Sequence, residues 1–155
     1  MPNKVNPIPD GYHSVTPYLH IKGAAAAIDF YKKVFGAVEV MRMPQPDGRI
    51  GHAELKIGSS HVMMADEHPE MKIVGPQTLG NTTISLLLYV SDADAMFNHA
   101  VSLGSRVIKP MADQFYGDRM GTLEDPFGHQ WSIATHIEDV SPEEMKKRMD
   151  ALEKK

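Results

Sequence analysis

The stretch YGDRMGTLEDPFGHQWSIAT, Tyr116–Thr135, reads as strand, tight acidic turn, strand. Asp125-Pro126 starts the turn and Gly128 takes the positive φ, so the acidic turn has a conformational explanation. In the second strand, alternation puts Trp131 on one face and Ser132 on the other. The tryptophan side reads as core and the serine side as the face turned toward whatever space the sheet encloses.

Upstream, SRVIKPMA supplies another strand, preceded by the helix SDADAMFNHAVSLG, capped by Ser91 or Asp92 and stopped by Gly104. Before that, TTISLLLYV alternates between Ile84, Leu86, Leu88, Val90 and Thr83, Ser85, Leu87, Tyr89. The same order occurs earlier in the chain. SVTPYLHI (14–21) is a strand with Val15, Leu19 and Ile21 on one face and Thr16, Tyr18 and His20 on the other. AAAAIDFYKKVFG is a helix with an apolar stripe through Ile28, Tyr31 and Phe35 and a stop at Gly36. AVEVMRM, GHAELKIG and HVMMAD follow as strands; in the second, His52, Glu54 and Lys56 lie opposite Leu55 and Ile57. The chain therefore reads βαβββ twice, an internal duplication, with a Gly- and Pro-rich loop between the copies. SPEEMKKRMDALEKK is a separate helix, with Ser141 as N-cap, Pro142 at its first position and an apolar stripe through Met145, Met149 and Leu152.

The chain has 155 residues, 42% hydrophobic and 23% charged, the balance of an ordinary globular domain. A net charge of −4 without a Lys/Arg run predicts neither a nucleic-acid partner nor an anionic membrane. Zero cysteines exclude disulfides, thiolate zinc sites and cysteine nucleophiles. The polar, proline-rich start MPNKVNPIPDGYHS lacks the apolar core of a signal peptide, which predicts a cytoplasmic protein.

Two tandem βαβββ modules, with AIDFYKKVFGA in the first and LEDPFGHQW in the second, resemble the vicinal oxygen chelate superfamily of glyoxalases, bleomycin-resistance proteins and extradiol dioxygenases. GHAELKIG and VMMADE together with DPFGHQW look most like its PhnB-like branch. The resemblance implies an α+β fold: modules over about 14–66 and 82–136 within a 1–140 domain, each a curled half-barrel, paired into a cup, plus a C-terminal helix over 141–155. In metal-dependent members, His, Glu or Gln from the first and last strands of each module hold a divalent ion. Aligned on HIKGAAAAIDFY, LLLYVSDA, DPFGHQWSI and HVMMAD, those positions fall at Thr16, Ser85, Ser132 and Met63. Two hydroxyl-bearing residue types and a thioether are not a divalent-ion set, so no metal cofactor is expected. Bleomycin-resistance proteins, similar in fold, sequester a drug in a metal-free cup.

The residues therefore predict a small-molecule cup lined by Thr16, Tyr18, His20, His52, Met63, Ser85, Leu87, Tyr116, Arg119 and Ser132, in a homodimer. Tyr116 and Arg119, in the glycine-containing segment FYGDRMG, are expected at the mouth of the second module, where an arginine pairs with an anion and a tyrosine stacks on a planar ring; the alternative for Arg119 is a surface ion pair with Asp118. The alternative is a metal-dependent lyase, isomerase or dioxygenase using a non-standard site at His20, His52 and Glu54. His129, beside the turn, reads as structural.

Overall fold

Pro17 sets where the first strand begins. A residue ahead of proline is steered into extended conformations, and proline itself donates no ladder hydrogen bond. In the computed structural model, which describes residues 4–154, β1 spans Tyr18–Ile21 and not the longer run expected from Ser14. The Pro17 carbonyl still accepts from the Met63 amide at 2.9 Å. Val15, expected on the apolar face of that strand, is 85% exposed, and Thr16 precedes the strand.

The chain divides into two compact units, Met1–Asn81 and Thr82–Lys155. In the first, α1 (Ala24–Phe35), β2 (Val38–Pro44), β3 (Ile50–Ile57) and β4 (Ser60–Asp66) follow β1, and the sheet order is β1-β4-β3-β2. β1 runs parallel to β4, and β4, β3 and β2 are mutually antiparallel neighbours. α1 buries Ala24, Ala27, Ile28, Tyr31, Val34 and Phe35, the positions its 3.6-residue period places on one side. They cover the sheet face that carries Leu19, Ile21, Ala53, Leu55 and Met64, all buried. The helix has no side-chain cap of its own. Asp66, at the end of β4, replaces it by accepting from the amides of Gly23 (3.0 Å) and Ala24 (2.9 Å), and also from Ile50 (2.6 Å).

The linking loop is tied down rather than loose. Its 3-10 turn (Pro69–Met71) is closed by backbone hydrogen bonds between His68 and Ile73 (2.7 and 3.1 Å), and its short α2 (Pro76–Leu79) is held by the buried Glu67 carboxylate, which accepts from the Gly75 amide (2.9 Å) and the Thr78 hydroxyl (2.8 Å).

The second unit repeats the order: β5 (Ser85–Tyr89), α3 (Ala93–Ser102), β6 (Arg106–Asp113), β7 (Asp118–Glu124) and β8 (Gln130–His136), arranged β5-β8-β7-β6. β5 starts later than expected, leaving Ile84 70% exposed outside it. Asp92, not Ser91, caps α3, accepting from the Ala95 amide at 3.1 Å. Thr135 does here what Asp66 does in the first unit: its hydroxyl accepts from the first helical amide, Ala93 (3.0 Å), and donates to the Val90 carbonyl (2.8 Å). Trp131, Ile133 and Leu123 form the buried face under α3.

α4 (Pro142–Glu153) completes the α+β fold, capped by Ser141 as the sequence predicts. Arg148 fastens it, donating to the Phe115 carbonyl (3.1 Å) and to Glu138 (2.7 Å). Met149 and Leu152 remain exposed. Among the described residues no helix is long and apolar enough to cross a membrane, and neither sheet closes on itself.

Candidate functional site

α1 packs on one face of the first sheet and α3 on one face of the second, so the residues that alternate away from these helices share the opposite face, called the open face below. In the first unit, register puts Tyr18 beside Met63, Met63 beside Glu54 and Glu54 beside Met41. His20 pairs with Ala65, and His52 with Met43. Tyr18, His20, His52, Met63 and Glu54 therefore share the open face, as the strand periodicity predicts; Thr16 lies just beyond the strand.

Four of these side chains and one from the N-terminal arm are joined. The Tyr18 hydroxyl lies 2.8 Å from Nδ1 of His52, and Nε2 of His52 lies 3.2 Å from Oε1 of Glu54. Tyr12 donates to Oε2 of Glu54 at 2.7 Å, and its ring stacks on His61 with centroids 3.9 Å apart. The Tyr18 ring is 5.3 Å from that of His20. A carboxylate only accepts, so Nε2 of His52 carries the hydrogen; in the neutral ring Nδ1 is then the acceptor and Tyr18 the donor. The hydrogen bond from Tyr12, then that from His52, holds the Glu54 carboxyl below its ordinary range against the upward push of burial. Burial, and then the Glu54 charge, push the Tyr18 phenol up, so it is protonated near neutrality. The sequence does not mark Tyr12, because an arm without periodicity gives no sign of which sheet face it crosses.

In the second unit, Leu87 pairs with Ser132 and Ser132 with Thr122, and the Thr122 and Ser132 hydroxyls are 2.8 Å apart. Ser85 sits two residues along the same face, beside Gln130. Tyr116, in the turn before β7, directs its hydroxyl toward Sδ of Met120, two residues from Asp118 on the open face. Tyr89 donates to Asp118 at 2.6 Å, and Asp118 also meets Nδ1 of His136 at 2.7 Å, whose Nε2 reaches Asp139 at 2.7 Å. Burial pushes Asp118 up, but the bonds from Tyr89 and His136 outweigh it and hold the carboxyl low. Asp118 and Asp139 raise His136 in return.

Arg119 corrects the expectation for the cup mouth. It alternates with Gly121 and Leu123 onto the helix side, where Asp94 of α3 takes two of its nitrogens at 2.6 and 2.8 Å and Asp113 a third at 3.0 Å. The glycine-containing turn upstream hid the parity of the strand that follows it. Its guanidinium is committed to the start of α3.

The acidic turn before β8 is built around Asp125. One oxygen of the buried Asp125 carboxylate accepts from the Phe127 (2.9 Å) and His129 (3.0 Å) amides, and the other from the Trp131 indole (2.9 Å). The motif is a turn lock that fastens the core tryptophan, and the strand beyond it presents Ser132.

The positions that the resemblance assigns to a divalent ion do not carry an ion-binding set of side chains. At the four corresponding positions stand Thr16, Met63, Ser85 and Ser132, a set without imidazole or carboxylate, and Ser132 already shares a hydrogen bond with Thr122. At the alternative location both nitrogens of His52 are engaged, and among the described residues no three His, Cys, Asp or Glu side chains are grouped to hold a metal ion.

A model of the Glyoxalase/Bleomycin resistance protein/Dioxygenase superfamily matches residues 14–133. An uncharacterized protein of Mycobacterium bovis, Mb0911c, is 41% identical over 141 residues, spanning 89% of this chain and 93% of its own. Among solved structures, PA1353 from Pseudomonas aeruginosa superposes with a TM-score of 0.68 at 26% identity, covering 80% of this chain and 98% of its own. TioX from Micromonospora sp. ML1 gives 0.64 at 28% identity, covering 81% and 99%.

Proposed function

Because the chain belongs to the Glyoxalase/Bleomycin resistance protein/Dioxygenase superfamily, we propose that it is a small-molecule binding protein of that fold, in its PhnB-like branch, without the usual metal site. The observation that carries this reading is the set at the superfamily's ligand positions: Thr16, Met63, Ser85 and Ser132 offer hydroxyls and a thioether where an ion needs imidazole and carboxylate. What the faces opposite the helices offer suits an organic ligand. Tyr18 and His20 present aromatic surface, Met63 and Leu87 apolar surface, and Ser85, Ser132 and the Tyr18 hydroxyl, which His52 orients, polar points that fix orientation. Tyr116 adds a further ring beside Met120. The ligand class is a planar, partly apolar organic molecule. The protein acts as a cytoplasmic homodimer, a state that would cover the exposed Met149 and Leu152 of α4.

The test is elemental analysis of protein purified without a histidine tag. This reading expects far less than one transition-metal ion per chain. About one ion per chain, lost in His52→Ala, establishes instead the metal-dependent lyase, isomerase or dioxygenase centred on His20, His52 and Glu54.

A further inference from the structure

We propose that Tyr18, His52 and Glu54 form a proton relay, and that it makes the Tyr18 phenol a general base able to take a proton from a weakly acidic ligand. Three features of the first unit carry this. The distances are those of a working chain, 2.8 Å from the phenol to Nδ1 and 3.2 Å from Nε2 to the carboxylate. The tautomer is fixed, because the Glu54 oxygen requires the hydrogen on Nε2 and so leaves the Nδ1 lone pair facing the phenol. Access is graded along the chain. Tyr18 is 42% exposed, while the side chains of His52 and Glu54 are 23% and 14% exposed, so ligand reaches the phenol and not the groups behind it.

Tyr12 gives Glu54 its second anchor. With one oxygen accepting from Tyr12 and the other from His52, the carboxylate is held in place and ionised, the condition for stabilising an imidazolium beside it. The step then balances without a co-reactant. The ligand's acidic proton, on a hydroxyl or beside a carbonyl, moves to the Tyr18 oxygen as the phenol's own proton moves to Nδ1 of His52. The electron pair of the broken bond stays on the ligand as an enolate or phenolate, and the positive charge rests on His52 against Glu54. Returning the proton to a different atom of the ligand would complete an isomerisation. Tyr18 is the group that meets the ligand; His52 and Glu54 act through it.

Tyr89 is an internal control. It is the more exposed phenol at 58%, but its hydroxyl donates directly to the Asp118 carboxylate, which is held below its ordinary range and is a far weaker base than an imidazole. Treating the full chain with phenylmethanesulfonyl fluoride reads the difference. The phenol oxygen bonds to sulfur, the S–F bond breaks, fluoride leaves, and the phenol proton goes to the neighbouring base. Mass spectrometry of the peptides gives each tyrosine's labelling rate. We expect Tyr18 to label at least about tenfold faster than Tyr89, a conservative threshold beside the roughly 100- to 10,000-fold that a positioned general base contributes. His52→Ala should bring Tyr18 to the Tyr89 rate, added imidazole should restore it, and Glu54→Gln should slow it several-fold with the melting temperature preserved. Equal rates at Tyr18 and Tyr89, or a Tyr18 rate indifferent to both substitutions, would overturn the relay. The assay needs no bound ligand, so its failure is separate from failure of the binding role.

Discussion

Replacing Asp125 with alanine should destabilise the protein more than its place in a surface turn suggests. The residue is 3% exposed, and its carboxylate accepts hydrogen bonds from the amides of Phe127 and His129 and from the indole of Trp131. Two of those donors are buried, and each buried donor left without an acceptor costs about 1–3 kcal/mol. The third, at Phe127, is half-buried and can turn to water. Removing a buried charge gives some of this back, so the net loss should be about 3–5 kcal/mol, the upper tail for a single substitution. Asp125→Asn separates the parts: its oxygen can still serve the two turn amides, but its NH2 then faces the Trp131 N–H, a donor against a donor. That variant should lose about 1–3 kcal/mol, and most of the loss should vanish when Trp131→Phe removes the opposing donor. Urea melts followed by the emission of Trp131, the only tryptophan, report both stability and the environment of the ring. If Asp125→Ala loses less than about 1 kcal/mol, or if Asp125→Asn costs the same with and without the indole, the turn lock is not what holds the tryptophan.

Gly117→Ala should destabilise the second unit by at least about 1–3 kcal/mol, because φ is 99° there and an added Cβ would collide with the Glu138 carbonyl oxygen; urea melts of the variant measure it. The His136 cluster makes stability depend on pH. Asp118 and Asp139 raise the folded value of His136, so its contribution is complete below the ordinary histidine value of about 6.5 and fades as pH climbs through the raised one. Asp118 works oppositely, its contribution present above about pH 4 and lost as pH falls through its lowered value. Urea midpoints should therefore fall above about pH 6.5 in the native chain, and His136→Gln should flatten that decline. Sedimentation at micromolar concentration should give a dimer, and Met149→Glu with Leu152→Glu should shift it toward monomer if α4 is part of the interface.

The duplication was legible because it is written in hydrophobic period. Leu19 and Ile21, Leu55 and Ile57, and Ile28 and Tyr31 mark one face of each element, and all of them are buried. The open face follows from the same parity, which places Tyr18, His20, His52 and Glu54 on one side of their strands. Parity failed where a turn intervenes. The segment FYGDRMG gave no phase for Arg119, which proved to lie on the helix side against Asp94. Long-range pairings were equally silent: nothing local announces that Asp66 caps α1 or that Tyr12 reaches across the sheet to Glu54, since each joins residues 42 positions apart. Pro17, by contrast, is legible in the sequence, and the shortened first strand is its consequence.

The most direct test of a metal-free binding role is the melting temperature of chelated, untagged protein, measured against Ni²⁺, Zn²⁺, Mn²⁺ and Fe²⁺ and against a panel of planar organic acids. A ligand at a hundred times its dissociation constant stabilises the folded state by about 2.7 kcal/mol, ample for a shift of several degrees. The account predicts that one or more organic acids raise the melting temperature with chelator present, that Tyr18→Ala removes the shift, and that none of the four ions produces one. A specific rise with a single divalent ion, abolished by His52→Ala and required before any organic acid binds, would contradict it.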